Sequence, residues 1–510
     1  MKNQYDIGYN KLQSNNNLKI INHIKFHLSN TSLINKNNEF LRFFRLDHVI
    51  LDLSHIQYNK VNLLQKNFNQ KIIRFFYDNK KISLPLPKKW LVKLKNEKVQ
   101  INQLNSSLLW LTLCIKKYLS TYHFLIKYII FSIFTKNDLK GISNSIFLHS
   151  TNPDIFKENS FDDSILKLYE NNLDRNICFQ DSIKLNTSYK HIKIKYKNIS
   201  LPYLDKPISI IKIIYWLIKS HFYLLKRFDD NFLLNIFFYK EYTKAYIFLL
   251  NNSNNNHYYF NNTNSLYRPF WTYFCEQKNS SSFFYFYSLN NDSLRNDFNL
   301  PLTNWYPLTW QNYMLVDIKQ KYFVEENSKL NFKINYSKIF DNFIKYNNQN
   351  NLGHFTNNKY ILISDITPLN DVDFFIAGEM YENYRTKYIK IFIEDILFYL
   401  NNNNANINVI LKTKKTRFVD NKNYLDFIKR QNKLIICEEN ISLKNLIENS
   451  LAVISYPFTT IGYLAGKMGK NSVYYDPTSS ISDSHKSLYG LKLLKSRDQL
   501  KNYFERNIIC

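Results

Sequence analysis

The chain has 510 residues, of which 45% are hydrophobic and 17% aromatic, so it can bury the cores of two or three domains, which excludes a disordered protein. Its net charge of +27 fits either a solvated, lysine-rich surface or an anionic partner such as a membrane or a phosphate-bearing substrate. No nucleic-acid-binding module is recognisable. Five widely spaced cysteines and an N-terminus without a signal-peptide core predict a cytoplasmic protein.

Residues 1–230 are predicted to form a helix-rich N-terminal region. Its longest apolar stretch, residues 107–134, is interrupted by three lysines and a histidine. No uninterrupted run reaches the roughly 18–20 apolar residues that a membrane span needs. We therefore expect a helix that does not cross a bilayer.

A second apolar stretch, residues 208–228, carries Lys212, Lys219 and Lys226 seven positions apart. This spacing predicts that the lysines lie along one helix face, opposite a broad apolar surface. Two interpretations remain open. The helix packs on the core with a basic outer stripe, or it lies at an anionic membrane surface.

Residues 231–350 are predicted to form a first Rossmann-like domain. Short runs at 245–250, 283–288 and 313–317 are typical of strands. Between the first two, Pro269 is suited to the first turn of a helix. The alternation indicates strand–helix–strand units.

Residues 355–510 are predicted to form a second Rossmann-like domain, because strand patterns alternate with helix patterns. Such alternation predicts a parallel sheet with helices on both faces. The strands are expected at 360–365, 407–414, 433–439, 451–456 and 471–476, and the helices at 381–400, 442–450 and 460–468.

A turn with unusual chemistry follows the fourth of these strands. Pro457 halts the strand, and the hydroxyl of Thr459 or Thr460 is expected to cap the next helix. Gly462 and Gly466 have no side chain, so the helix can approach its neighbour closely. That neighbour is either the sheet alone or a phosphate or nucleotide at the helix start.

The stretch "ISYPFTTIGYLAGKMGKNSVYYDPT" resembles the signature of bacterial surface-polysaccharide biosynthesis proteins known by a Pro-Phe-Thr-Ser motif. The chain keeps Pro457, Phe458 and Thr459, but has Thr460 where serine is usual and Asn471 where proline is usual. The resemblance covers about residues 240–510. It includes "LYRPFWTYFCEQK" in the first domain and "SHKSLYGLKLLKSRDQL" near the C-terminus.

The resemblance implies a role in building O-antigen or capsule-like polysaccharide, as a glycosyltransferase-like protein. It also implies an α/β fold with two Rossmann-like domains that face each other across a cleft, the arrangement called GT-B. Such enzymes bind a nucleotide-sugar mainly through the C-terminal domain and the acceptor mainly through the preceding one.

A basic cluster follows the second strand of the C-terminal domain. Alternation along an extended chain sends two of its lysines to one face, where they would stabilise a diphosphate leaving group. The alternative is a solvated basic turn. The cluster consists of Lys412, Lys414, Lys415 and Arg417.

Other candidates for binding the nucleotide-sugar follow the neighbouring strands. Glu438 resembles in position the acidic residue with which many GT-B proteins hold a ribose, or it belongs to a surface pair. Asp476 contacts the sugar or nucleotide, or caps a turn. Ser455 joins Thr459 and Thr460 as a candidate at the Pro-Phe-Thr turn.

Asp365 ends the first strand of this domain and is the candidate general base for the acceptor hydroxyl. Asp371 and Asp373 resemble an Asp-x-Asp metal motif, but they lie in a loop of a Rossmann-like domain, so no metal and no tightly bound cofactor are expected. In the first domain, Trp271 either stacks on a sugar or packs in the core. His485 is expected to be a surface residue.

The leading prediction is an enzyme that moves a sugar from a nucleotide donor to a lipid-linked or growing glycan. Basic amphipathic stretches would hold it peripherally at the inner face of the plasma membrane, where such acceptors reside. Two alternatives remain open. One is a polyol-phosphate transferase, and the other is a non-catalytic assembly protein of the polysaccharide machinery.

Overall fold

The structure is a computed structural model. It describes residues 83, 87–96, 101–134, 143–149, 176–180, 194–197, 204–226, 232–261, 268–286, 288–289, 310–328, 331–337, 339–345, 360–366, 368, 386–402, 407–413, 421–437 and 441–508. Of the candidate residues, Lys414, Lys415, Arg417, Glu438 and the pair Asp371 and Asp373 lie outside this part of the chain.

The first domain is built on a seven-stranded sheet with the order β3-β2-β1-β4-β5-β6-β7, in which neighbouring strands are parallel. Its first six strands follow the 3-2-1-4-5-6 order of a Rossmann fold. The strands are β1 (Ser145–His149), β2 (Asn176–Gln180), β3 (Ile194–Lys197), β4 (His257–Asn261), β5 (Ser281–Tyr285), β6 (Asn312–Leu315) and β7 (Lys333–Tyr336).

This sheet begins N-terminal to the predicted domain boundary at residue 231. Three of its strands come from residues 145–197, within the region that was predicted to be mainly helical. Those strands are four or five residues long, and they lie in a region whose sequence shows only scattered strand-like runs among helical patterns.

One local prediction in the first domain is wrong, and another is confirmed in a different helical form. Residues 245–250 were expected to form a strand, but they end a helix, because a short apolar run does not distinguish a buried helix from a buried strand. Pro269 precedes two short 3₁₀ helices, Phe270–Phe274 and Glu276–Lys278, instead of an α-helix.

A layer of helices covers one face of the first sheet. α4 (Phe232–Leu250) packs against the aromatic core of the sheet, while α2 (Gln103–Phe134) and α3 (Pro207–Leu225) pack on α4. α1 (Lys88–Asn96) precedes them. Within the described residues, none of the helices combines the length and the apolar composition needed to cross a membrane.

The second domain has a six-stranded parallel sheet with the order β10-β9-β8-β11-β12-β13, again the Rossmann order. The five strands expected from the sequence are present, and β13 is additional. They are β8 (Tyr360–Ser364), β9 (Asn408–Lys412), β10 (Leu434–Ile436), β11 (Ala452–Ser455), β12 (Ser472–Tyr475) and β13 (Lys492–Leu494).

The remaining helices connect or flank these strands. α5 (Lys321–Asn327) and α6 (Ile339–Lys345) follow strands of the first domain. The second domain contains α7 (Thr386–Asn402), α8 (Lys422–Lys429), α9 (Leu443–Asn449), α10 (Thr460–Lys467) and α11 (Arg497–Asn507). The chain therefore folds as two Rossmann-like domains, which confirms the predicted fold class.

One hydrophobic cluster joins the two domains. Leu289, Val316 and Phe340 of the first domain pack with Tyr463 and Tyr489 of the second. Leu289 follows β5 and Val316 follows β6, so the carboxyl edge of the first sheet lies against the second domain. The ends of parallel strands, where ligands bind in such folds, therefore line the junction between the domains.

Candidate functional site

The strand order of the second sheet changes direction between β8 and β11. Open α/β sheets bind ligands at this point, outside the carboxyl ends of the strands. Lys412, Ser364 and Ser455 are register partners across β9, β8 and β11, so they lie in one row along this edge. With strands about 4.8 Å apart, the row spans ~10 Å.

Three buried hydroxyl groups join the two central strands to the turn that follows β11. Ser364 Oγ donates to Ser455 Oγ over 2.9 Å and lies 3.3 Å from Thr459 Oγ1. Thr459 Oγ1 in turn donates to the carbonyl of Tyr456 over 2.9 Å. These bonds hold the turn on the sheet. Ser364 was not predicted as a site residue, because a serine that ends a buried strand has no distinguishing pattern.

The predicted capping of α10 takes a different form. Thr459 occupies the N-cap position, but its side chain does not cap the helix, since its hydroxyl is bonded back to the preceding turn. Thr460 Oγ1 accepts a hydrogen bond of 3.2 Å from the amide of Leu289 in the first domain. The first turn of α10 contains no acidic residue, so no side chain of that turn neutralises the positive end of the helix dipole.

Three positions in and just after this helix are glycine, each for a different structural reason. A Cβ at Gly462 would lie 3.0 Å from the side chains of Ser455 and Tyr474, and one at Gly466 would lie 2.8 Å from Leu491. Gly469 has φ +78° and ends the helix, where the amide of Lys470 donates to the carbonyl of Ala465 over 3.0 Å. Gly462 thus lets the helix rest on the sheet, and Ser455 lies beneath it.

Phe458, the aromatic residue of the Pro-Phe-Thr turn, has φ +64°. Bulky residues rarely adopt this left-handed conformation, which costs about 1–2 kcal/mol. The ring is buried and lies 4.8 Å from the ring of His485, so packing offsets the cost. Strained residues of this kind cluster at functional sites. The turn therefore has a fixed shape imposed by its surroundings.

A second set of contacts joins α10 to the first domain. Tyr463 OH donates to Asp317 Oδ2 over 2.7 Å, and Lys467 Nζ lies 3.3 Å from the same oxygen and 3.0 Å from Asp341. Burial raises the pKa of Tyr463, and the hydrogen bond to Asp317 raises it further. Burial lowers the pKa of Lys467, but the two carboxylates outweigh it and the pKa is raised.

Lys412 is the member of the predicted basic cluster that the structure describes. It is half-buried at the carboxyl end of β9, and its Nζ lies 3.7 Å from Sγ of Cys437. Its register partner Ser364 is next to Ser455, so the lysine and the Pro-Phe-Thr turn share one edge of the sheet, two strands apart.

Asp365 follows Ser364 and is 5% exposed. Tyr424 of α8 donates a short hydrogen bond to its Oδ2. Burial raises the pKa of Tyr424 well above its ordinary value, and the negative charge of Asp365 adds to the effect. The tyrosine therefore remains a donor that orients this carboxylate, a partner that the sequence does not indicate.

Asp476 organises its own loop. Its Oδ1 accepts from the amide and hydroxyl of Thr478 at 2.9 and 2.6 Å, and its Oδ2 accepts from the amide of Ile481 at 3.0 Å. The side chain is fully buried. Of the two roles considered for Asp476, these contacts are those of a turn cap.

The aromatic candidate of the first domain lies in the core. Trp271 is 1% exposed; its ring packs edge-on against Tyr258 at 4.8 Å and is tilted against Phe248 at 5.1 Å. Arg268 beside it is buried over the ring of Tyr273 at 3.8 Å. His485 is half-buried, and its Nδ1 accepts from the amide of Ser487. No cluster of three potential metal ligands occurs among the described residues.

Comparison with known proteins gives distant structural similarities. A trehalose 6-phosphate synthase from Burkholderia multivorans has 8% identity and a TM-score of 0.42, over 72% of this chain and 91% of that one. A UDP-GlcNAc 2-epimerase from Methanocaldococcus jannaschii has 13% identity and a TM-score of 0.38, over 71% and 92%. The glycosyltransferase SnogD from Streptomyces nogalater has 9% identity and a TM-score of 0.36, over 72% and 92%.

No curated protein matches the chain. A family model does match, over residues 219–504, which is more than half of the chain and includes the Pro-Phe-Thr turn, β8 to β13 and the interdomain contacts. The chain belongs to the family of polysaccharide biosynthesis PFTS motif proteins.

Proposed function

We propose that this protein transfers a sugar from a nucleotide-sugar donor to a lipid-linked or growing glycan during polysaccharide biosynthesis. The observation that carries the proposal is the position of the Pro-Phe-Thr turn. It follows β11 at the switch point of the second sheet, and Thr460 contacts the carboxyl edge of the first sheet through Leu289. A donor bound there would meet an acceptor held by the other domain.

In this proposal the N-terminus of α10 and Lys412 stabilise the leaving nucleotide diphosphate. The bond between the anomeric carbon and the diphosphate oxygen breaks, and the diphosphate takes the electron pair. The acceptor oxygen forms the new bond to that carbon. A positive helix end and an ammonium group favour the negative charge that develops on the leaving oxygen. Lys414, Lys415, Arg417 and Glu438 remain candidates in the adjoining loops.

Asp365 is the proposed general base that takes the proton of the acceptor hydroxyl. It lies at the switch point next to Ser364, and Tyr424 orients it. Asp365→Asn should therefore lower kcat by about 10²-fold or more. Tyr424→Phe removes the donor that orients this carboxylate and should lower kcat with little change in KM, whereas a purely structural Asp365 would change stability and leave kcat unchanged.

The donor is tested by thermal unfolding with sugar nucleotides of UDP, GDP, CMP and dTDP. A ligand at 100 times its Kd stabilises the folded state by about 2.7 kcal/mol and raises Tm. Lys412→Ala should reduce the shift. Lys492→Ala, which removes an exposed lysine at the start of β13, should preserve it.

The same experiment separates the alternatives. If a CDP-linked polyol raises Tm and none of the nucleotide-sugars does, polyol-phosphate transfer replaces sugar transfer as the proposed function. No shift with any nucleotide, together with unchanged polymer production by the Lys412→Ala variant, would overturn catalysis and favour an assembly role.

We also infer a peripheral location at the inner face of the plasma membrane, where lipid-linked acceptors and activated sugars meet. The net charge of +27 supports an anionic surface as partner. The part of the chain suited to that contact is the helix pair α2 and α3.

A further inference from the structure

α3 has two apolar faces. One packs inward through Ile213, Trp216, Leu217 and Leu224. On the opposite face, six large side chains are 49–67% exposed and recur at alternating spacings of three and four residues, which aligns them in one stripe. This outer stripe consists of Ile208, Ile211, Tyr215, Ile218, Phe222 and Leu225.

α2 lies beside α3 and runs in the opposite direction. Tyr118 and Tyr122 of α2 contact His221 near the end of α3, while Ser132 of α2 accepts from the amide of Leu204 just before α3 begins. Both helices pack inward on α4. α2 also exposes large apolar side chains at helical spacing: Leu108, Ile115, Leu119, Ile126 and Ile130.

The exposed face of this helix pair contains basic charge alone. Neither α2 nor α3 contains an acidic residue. Lys212, Lys219 and Lys226 each follow a stripe residue by one position. Each lysine is therefore rotated about 100° from that residue and lies beside the stripe. This placement differs from the prediction that the lysines lie opposite the apolar surface. α2 adds Lys116, Lys117 and Lys127, all exposed.

We propose that the outer faces of α2 and α3 dock on an anionic lipid membrane, with α3 lying in the plane of the interface. Scattered exposed apolar side chains are ordinary, but a continuous apolar stripe is typical of an interaction surface. An apolar face bordered by lysines is the pattern of interfacial helices, whose lysines reach the lipid phosphates. α3 has 19 residues and is ~28 Å long, enough to lie along the membrane.

Charge favours lipid over a second copy of the chain as the occupant. In a symmetric dimer the same patch meets itself, so lysines that flank the stripe would face lysines. An anionic bilayer instead attracts each lysine near its surface. The apolar stripe and the basic border are then both satisfied by one partner.

The docking surface also reaches the edge where transfer is proposed. α4 leads into β4 through residues 251–256, so its C-terminus lies at the amino edge of the sheet. α3 packs antiparallel to α4. The indole of Trp216 donates a hydrogen bond to the hydroxyl of Thr243, and the hydroxyl of Ser209 donates one to the carbonyl of Leu250. The C-terminal end of α3 therefore lies toward the carboxyl edge of the first sheet. The link between the docking surface and glycan transfer rests on the proposed function.

Vesicle flotation of the full chain tests the inference. Vesicles of phosphatidylcholine alone are compared with vesicles that also contain phosphatidylglycerol. Wild type should float with the anionic vesicles, and added salt should weaken binding. The double variants Ile211→Glu with Ile218→Glu and Lys212→Glu with Lys219→Glu should each lower the partition coefficient about tenfold or more.

Matched controls lie in the second domain. Phe398 is 59% exposed on α7, and Lys492 is exposed on β13, so Phe398→Glu and Lys492→Glu should float like wild type. Unfolding temperatures and nucleotide-induced shifts of all variants verify the fold. Those shifts also test the proposed function independently of vesicle binding.

Three outcomes would overturn the docking surface. In the first, wild type fails to float with either vesicle type. In the second, the controls lose binding as much as the stripe variants. In the third, wild type forms a dimer that Ile218→Glu dissociates. The third result would assign the stripe to a second copy. A nucleotide shift without flotation would leave the transferase proposal standing and remove the membrane surface.

Discussion

The amide of Leu289 donates a hydrogen bond to Oγ1 of Thr460, and this 3.2 Å contact joins the loop after β5 to the first turn of α10. The carbonyl of Leu289 accepts from Tyr489 OH over 3.1 Å, so the second domain holds this residue on both sides. The fourth residue of the Pro-Phe-Thr-Thr motif thus contacts the other domain. The motif connects the two halves of the proposed active site.

Thr460→Val should weaken this junction, because valine has a similar shape but leaves the buried amide of Leu289 without its acceptor. The expected loss is about 1–3 kcal/mol in the free energy of unfolding, measured by urea titration. Thr460→Ser keeps the hydroxyl and should remain within about 0.5 kcal/mol of wild type. Equal losses in both variants would show that the methyl group, and not the hydrogen bond, stabilises the junction.

Asp317→Asn should destabilise the domain junction more than Asp341→Asn. Asp317 is 8% exposed and accepts from Tyr463 and Lys467, so removing its charge weakens a buried hydrogen bond and a partly buried ion pair. We expect a loss of about 2–3 kcal/mol for Asp317. The side chain of Asp341 is 53% exposed, and its pair with Lys467 should contribute less than about 1 kcal/mol.

Denaturant unfolding at neutral pH measures both aspartate variants. Similar losses for the two would contradict the view that burial separates them. A rise in stability for Asp317→Asn would instead show that desolvation of the carboxylate exceeds its attraction to Lys467.

Five of the six strands of the second domain were predictable, because each of the five combines a continuous apolar run with a turn signal. β8 (Tyr360–Ser364) is buried at every position, as expected for a central parallel strand. The turn at Pro457 and the close approach at Gly462 also follow from the residue types. Local chemistry determines these features, so a single sequence reveals them.

The side-chain partners were not predictable, since they depend on which strands become neighbours. Asp365 and Tyr424 are 59 residues apart, and Asp317 and Tyr463 are 146 apart. Asp476 was a candidate ligand, yet its neighbours Thr478 and Ile481 supply its hydrogen bonds. Similarly, residues 245–250 end a helix whose side chains Ala245, Ile247 and Phe248 are buried in the core of the first domain, a packing that no local pattern shows.

Gly462→Ala should destabilise the second domain by about 1–3 kcal/mol, because the new methyl group would lie 3.0 Å from Ser455 and Tyr474. Thermal or urea unfolding measures the loss. Gly469→Ala is the matched control, since it meets no atom within 4 Å but has φ +78°. Its cost should be about 1 kcal/mol, from backbone strain alone. A neutral Gly462→Ala would show that α10 can move away from the sheet.

Alkaline pH should unfold the protein, with an onset above pH 10, because several tyrosines are buried. Burial raises the pKa values of Tyr424 and Tyr474 above the ordinary 10.0, and Asp365 raises that of Tyr424 further. A raised pKa in the folded state means that the unfolded chain loses its proton first. The associated stability is therefore fully present below pH 10 and is lost as pH rises toward the folded-state pKa.

Tyr424→Phe should make this loss less steep, since each such tyrosine contributes at most about 1.4 kcal/mol per pH unit. At neutral pH the variant should be about 1–3 kcal/mol less stable, because Asp365 loses its hydrogen-bond donor. Tyr215→Phe, at a side chain that is 67% exposed, should leave both the slope and the neutral-pH stability unchanged. Urea titrations from pH 8 to 11 supply the slopes. An unchanged slope for Tyr424→Phe would mean that this tyrosine ionises in the folded state as readily as in the unfolded chain, and that Asp365 does not hold it as a donor.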